Sequence, residues 1–180
     1  MRLLAISGSL RQGSYNSALI DAAAASCAQT VDLVIWRGLA EIPPYSEDVD
    51  EAPTSVGGLR LEIARADAVL IATPEYNGSI PGVLKNALDW ASRPFPDNCF
   101  RGKPVAVIGA STGLFGARWA QADLRKVLRT IGASVLEAEL PVPAAHEAFT
   151  GDGRLREPQL AAALCNIVGD LLRQTLQDAA

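Results

Sequence analysis

The stretch Ile6-Ser7-Gly8-Ser9-Leu10-Arg11-Gln12-Gly13-Ser14-Tyr15-Asn16-Ser17 decides how this chain is read. It follows a short apolar run, Leu3 to Ile6, and leads into an alanine-rich helical run from about Ser17 to Ala28, with Asn16 or Ser14 as the N-cap. A strand, a Gly/Ser loop and a helix start are the parts of an anion site, because the first N–H groups of a helix have no partner within it. Gly8 and Gly13 have the spacing of the outer glycines of a P-loop, G-x-x-x-x-G-K-[ST]. The next residues are Ser14 and Tyr15, however, so the phosphate lysine and the magnesium hydroxyl are missing. Nor is there a G-x-G-x-x-G, since Leu10 stands two after Gly8. The hydroxyls of Ser9, Ser14 and Ser17, the Arg11 guanidinium and the Asn16 amide suit a single terminal phosphate without a metal ion. An ordinary βα turn ahead of a capped helix is the other reading this loop allows by itself.

Beyond it the chain alternates. Apolar strands are expected at Leu33–Trp36, Ala68–Ala72 and Val105–Ile108, with a fifth beginning at Ser134–Leu136. Between them lie helical patterns at Thr54–Ala66 (Val56, Leu59 and Ile63 in register), after Ile80 with Pro81 in the first position, and at Ala117–Ile131, which Gly132 ends. A last helix aligns Leu160, Leu164, Ile167, Val168, Leu171, Leu172 and Leu176, and the tail after Gln177 is expected to fray. Ile42–Pro53, rich in proline and acid, reads as a surface loop. Five strand–helix alternations predict an α/β fold with a parallel sheet covered on both faces and right-handed crossovers. Five strands favour the flavodoxin-like order 2-1-3-4-5 over a six-stranded dinucleotide fold, a three-layer α/β/α sandwich whose crevice opens at the carboxyl ends of strands one and three. Gly/Ser loops follow strands one, three and four, so the topology gathers all three at one edge.

The totals bound the rest. A chain of 180 residues, 49% apolar, makes one domain, 1–180. A net charge of −4 argues against nucleic acid as the main partner. The initial apolar run is too short for a signal peptide and no run approaches ~18 apolar residues, so a soluble, cytoplasmic protein without a membrane partner is expected. Cys27, Cys99 and Cys165 lie far apart with no Cys-x-x-Cys and read as reduced core or surface thiols.

The loop after strand three, Thr73-Pro74-Glu75-Tyr76-Asn77-Gly78-Ser79-Ile80-Pro81-Gly82, continues into Val83-Leu84-Lys85-Asn86-Ala87-Leu88-Asp89-Trp90. With the Gly8–Asn16 loop, the Pro74–Asn77 motif, the Lys85–Trp90 helix and the loop Ser111–Gly116, the sequence closely resembles the NADPH-dependent FMN reductase family, which includes quinone, azo-dye and chromate reductases. The likeness extends to about Ile131. It implies that Ser9, Arg11, Ser14 and Asn16 hold the FMN phosphate, with Tyr15 at its side. Pro74, Glu75, Tyr76 and Asn77 then run along the isoalloxazine, backbone amides meeting its polar edge, and Ser111, Thr112 and Gly113 close the other side. Gly78 and Gly113 allow close approach to the ring. Further implications are NADPH or NADH as co-substrate and ping-pong transfer to a small-molecule acceptor (a quinone, azo compound, chromate or free flavin). A homodimer or homotetramer with its site near a subunit boundary is implied as well. The flavin carries the chemistry, so no protein acid or base is called for.

The rival from another class is a flavodoxin-type electron carrier without enzymatic activity, although such carriers tend to be far more acidic than −4. Other residues receive plainer readings. Lys85 and Asp89 suit an exposed helix pair or a subunit contact. Trp90, Trp119 and Phe95 suit the core or a dimer interface. His146, the only histidine, suits a surface loop, with neither a metal site nor a catalytic triad built on it. Arg118 suits either the phosphates of the nicotinamide cofactor or solvent.

Overall fold

Strand and helix alternate along the chain as expected in the computed structural model, which describes residues 1–27 and 31–178, the side chains of Cys27 and Asp178 excepted. The strands β1 (Arg2–Ser7), β2 (Asp32–Trp36), β3 (Ala68–Ala72), β4 (Pro104–Ala110) and β5 (Ser134–Val135) form a parallel sheet in the order β2-β1-β3-β4-β5. The helices are α1 (Tyr15–Cys27), α2 (Thr54–Arg65), α3 (Gly82–Ala91), α4 (Arg118–Thr130) and α5 (Pro158–Asp178). A 3-10 turn, Leu39–Glu41, follows β2.

Alternate strand residues face two separate cores, the consequence of a period of two in a sheet covered on both sides. Leu3, Ala5, Ala68, Leu70, Ala72, Ala106 and Ile108 pack with α1 and α5. Leu4, Ile6, Val69, Ile71, Val105 and Val107 pack with α2, α3 and α4. All residues of β3 and β4 are buried, which explains their continuous apolar sequence. The first face is rich in alanine, and α1 meets it with Ala22 and Ala23, small side chains that let helix and sheet approach closely.

A sixth short strand, β6 (Pro141–Val142), also pairs with β4. The Leu136 N–H donates to the Val105 carbonyl and the Gly109 N–H to the Leu140 carbonyl. Val105 and Gly109 share a parity, so β5 and β6 occupy one edge of β4 in succession. Between them, Glu137 pairs with Arg129 at 2.6 Å and Glu139 with Arg125. Arg125 is 5% exposed, and its guanidinium also donates to the Ala138 carbonyl, so its buried charge is both paired and hydrogen-bonded.

Local details sharpen the expectations. α1 begins at Tyr15, before the expected Ser17; the expected end at Ala28 lies outside the described residues. Ser14 is the cap, its carbonyl accepting from the Ala18 N–H and its Oγ from the Asn16 N–H, which places Asn16 within the helix. Pro81 precedes α3, with its carbonyl accepting from Leu84 and Lys85. α5 remains helical through Asp178, one residue past Gln177. Cys99 is a free thiol, whereas Cys165 is in a disulfide, contrary to the expectation of reduced thiols; the side chain of Cys27 lies outside the described residues.

Candidate functional site

The loops that leave β1, β3 and β4 enclose a cleft of about 120 Å3. Ser9, Arg11, Ser14, Tyr15 and Asn16 line it from the first loop, Pro74, Glu75 and Tyr76 from the second, and Ala110, Ser111 and Thr112 from the third. Asn77, Gly78 and Gly113, the other residues expected there, lie outside this lining.

The first loop presents donors that could cradle an anion. The N–H groups of Gly13, Ser14 and Tyr15, at the start of α1, have no acceptor among the described residues. Gly13 has φ 64°, a left-handed turn that glycine adopts without strain. The Arg11 guanidinium stands 5.0 Å from the Tyr15 ring centroid, and that ring stacks in turn on Phe149 at 6.2 Å. Asn16 does something else. Its Nδ2 donates to the Ala110 carbonyl and its Oδ1 accepts from the Ala110 N–H, both at 2.9 Å, so its amide fastens the start of α1 to the end of β4. Ser17 likewise donates to Ser7 Oγ at 3.0 Å and fastens the loop to its strand.

The second loop turns on Asn77 (φ 53°) and Gly78 (φ 76°), the pair that an Asn-Gly turn with two left-handed residues favours. Tyr76 and Ser79 exchange N–H to carbonyl bonds of 3.0 and 3.1 Å across it. Asn77 and Gly78 are exposed at the outer corner, which is why they do not line the cleft. The expected row of amides along this loop therefore narrows. Pro74 has no N–H and that of Tyr76 is used within the turn, which leaves Glu75 as the donor among the three lining residues.

The third loop hangs on β6. The Ser111 N–H donates to the Val142 carbonyl, and the carbonyls of Ser111 and Gly113 accept from Ala145 and Ala144. At Gly116 (φ 58°) a Cβ would lie 2.6 Å from the Val142 nitrogen, so the chain passes β6 with no room for a side chain. Leu114, Phe115 and Trp119 are exposed beyond it.

The donor set fits FMN: an amide cradle and a guanidinium for a phosphate dianion, then two loop walls on either side of the adjoining space for a flat ring. Among the described residues no group of three or more His, Cys, Asp or Glu forms a metal cluster. A larger cleft of about 700 Å3 flanks the far side of the first loop and shares Ser9, Arg11, Ser14 and Tyr15 with the site. Its other walls are the end of β2 with the turn after it (Ile35, Trp36, Arg37, Leu39 and Ala40) and Phe149, Thr150, Gly151 and Gly153. Ala110 and Phe149 were not expected at the site. Ala110 acts through its backbone and Phe149 lies in an irregular connection, so neither carries a sequence signal.

Lys85 and Asp89 form an exposed ion pair at 2.7 Å. Trp90 is buried, its indole N–H donating to the Pro43 carbonyl at 2.8 Å, whereas Phe95 and Trp119 are exposed, so the core reading holds for Trp90 alone. His146 is exposed beside Glu147. Arg118 is largely exposed, 3.8 Å from Glu139.

The NADPH-dependent FMN reductase family model matches residues 1–147. An NAD(P)H-dependent FMN reductase of Pseudomonas aeruginosa is 42% identical over 98% of this chain and 92% of its own length. A quinone reductase of Escherichia coli K12 is 37% identical over 76% of this chain and 73% of its own. In structure, the flavoenzyme FerB of Paracoccus denitrificans, an NAD(P)H:acceptor oxidoreductase, superposes with a TM-score of 0.86 at 34% identity, covering 98% and 97% of the two chains. With three loops meeting at one cleft and a match across most of its length, this chain belongs to the NADPH-dependent FMN reductase family.

Proposed function

We propose that the chain is a single-domain FMN-dependent oxidoreductase that takes electrons from NADPH or NADH and passes them to quinones, azo compounds, chromate or free flavin. The observation that carries this reading is the amide cradle at the start of α1 opening into the same cleft as the loops after β3 and β4. FMN, when bound, supplies the acceptance of hydride and the release of electrons. The chain's residues hold it. Arg11, Ser9, Ser14 and the unpartnered amides would bind the phosphate, Pro74–Tyr76 would border one side of the ring, and Ser111 and Thr112 the other. One open face would serve the nicotinamide and the acceptor in turn, which is the ping-pong order.

A homodimer or homotetramer goes with this reading. Tyr76, Leu114, Phe115 and Trp119 are all at least half exposed, and Phe115 and Trp119 pack together at 4.7 Å. An apolar group of this kind beside a cleft suits burial against a second copy. No described helix is long and apolar enough to cross a membrane. A cytoplasmic location, where NAD(P)H is supplied, goes with this reading.

The test is an anaerobic mixing experiment on FMN-loaded protein. The flavin absorbance is expected to bleach on adding NADPH or NADH and to return on adding a quinone. An electron carrier would stay oxidised without a partner reductase, and protein that takes up no FMN would overturn the reading altogether.

A further inference from the structure

We propose that Glu75 is the positioning residue of the flavin cleft: by capping α4 from a different loop, its carboxylate holds its own backbone N–H where that group meets the polar edge of the isoalloxazine. The inference rests on the FMN reading above and adds a residue role to it.

The carboxylate is committed elsewhere than the cleft. Its Oε2 accepts from the N–H groups of Trp119 at 3.0 Å and Ala120 at 3.1 Å, the second and third residues of α4. α4 has no cap of its own, because the preceding residue is Ala117, at φ 61° and without a side-chain acceptor. Glu75, 44 positions earlier, supplies the acceptor and sets a negative charge against the positive end of the helix. A second clamp lies on the far side of the turn, where Ser79 Oγ donates to Asp123 of α4 at 2.7 Å. The turn from Tyr76 to Ser79 is thus tied to the first two turns of α4 by both of its shoulders.

Two consequences follow. α4 begins immediately after the third loop, so the loops bordering the two sides of the ring become one frame whose width Glu75 sets. The Glu75 N–H has no acceptor among the described residues, and the same residue's side chain fixes where it points. The charge is placed well also. A carboxylate beside a ring that gains negative charge on reduction opposes that gain, and at the α4 terminus it is held by two N–H dipoles.

The test compares Glu75→Ala, Glu75→Gln and Asp123→Ala for FMN and riboflavin affinity by fluorescence quenching, and for the midpoint potential of the bound flavin. Glu75→Gln keeps an oxygen that accepts both N–H bonds. It is expected to bind both flavins within about three-fold of the parent and to raise the potential, since a negative charge is removed. Glu75→Ala is expected to weaken FMN and riboflavin alike by about ten-fold, the worth of one good hydrogen bond, because the damage is at the ring end. Unchanged affinity in Glu75→Ala, or a loss seen with FMN and not riboflavin, overturns the proposal. If Glu75→Ala does not fold, Asp123→Ala decides: a loss of about two- to five-fold common to both flavins supports the frame, and unchanged binding overturns it. A parent protein that binds neither flavin refutes the FMN reading itself, a result distinct from either.

Discussion

Asn16 and Ala110, 94 positions apart, are joined by two hydrogen bonds of 2.9 Å in which one side-chain amide satisfies both backbone groups of a strand residue. The start of α1 is locked to the end of β4 by a group that sequence alone assigns to the phosphate. Both residues are 2% exposed, so truncation at Asn16 leaves an N–H and a carbonyl in the interior without partners. Asn16→Ala is expected to cost about 2–6 kcal/mol, since each of the two orphaned groups costs roughly 1–3. A urea titration measures it, and a shift under about 0.5 kcal/mol would show that water replaces the amide at no cost. FMN affinity is expected to fall in this variant through loosening of the loop, and riboflavin affinity to fall with it.

Arg11 differs, because its guanidinium rests on the Tyr15 ring and in the proposed site would meet only the phosphate. Arg11→Ala is expected to weaken FMN by about 10- to 100-fold, the worth of a charge-assisted bond of roughly 1.5–3 kcal/mol. Riboflavin, which lacks the phosphate, should bind Arg11→Ala and parent equally. Equal losses for the two flavins would remove Arg11 from the phosphate site.

How much of this was legible beforehand depends on whether a residue acts through its type or through its position. The parallel sheet followed from the alternation of elements, and its order from the count of five strands; the short continuous apolar run Ala68–Ala72 is what a strand covered on both faces requires. The cleft followed from three Gly/Ser loops on neighbouring strands. The split of the fifth strand did not: between its two pieces Glu137 and Glu139 meet arginines of α4, contacts that no local pattern encodes. For the same reason the roles of Asn16 and Glu75 were hidden. Both have the residue type of a ligand contact, and both spend their side chains on distant backbone. Phe149 was out of reach altogether, since an isolated aromatic in an irregular connection has no period to betray its partner.

Gly109 and Gly8 are both crowded, yet their neighbours differ. A Cβ at Gly109 would meet the Thr73 carbonyl oxygen at 2.8 Å, Gln121 Nε2 at 3.0 Å and Ala117 Cβ at 3.1 Å, and the backbone oxygen cannot swing aside. At Gly8 the nearest atom, also at 2.8 Å, is Leu84 Cδ2, the end of a side chain that can change rotamer. Gly109→Ala is therefore expected to cost about 1–3 kcal/mol by overpacking, and Gly8→Ala clearly less. Thermal unfolding of the two variants checks the order. The reverse order would mean that Thr73 moves more readily than Leu84.

Cys99 carries the pH dependence that can be assigned at the alkaline end. Burial pushes its thiol from an ordinary value of 9.0 up to about 11, against the weaker pull of Arg60 and Lys103, and its Sγ donates to the Ala91 carbonyl at 3.4 Å. Between these values the folded protein keeps a proton that the unfolded chain has lost. Stability from this group is therefore complete below pH 9 and falls as pH rises toward 11. Lys103, held below its ordinary 10.5 by burial, acts with the opposite sign: the folded state releases its proton first, so this group's penalty eases as pH rises. The two are separated by Cys99→Ser, which should flatten the fall in urea stability between pH 9 and 11 and leave pH 7 to 8 unaffected apart from a constant offset. Alkylation gives an independent check, because the thiolate is the reacting form. At pH 8 the Cys99 peptide should react with iodoacetamide far more slowly than a free cysteine, and the rate should climb only as pH nears 11. Rapid labelling at pH 8 would show that the thiol is not held in its neutral form by the fold.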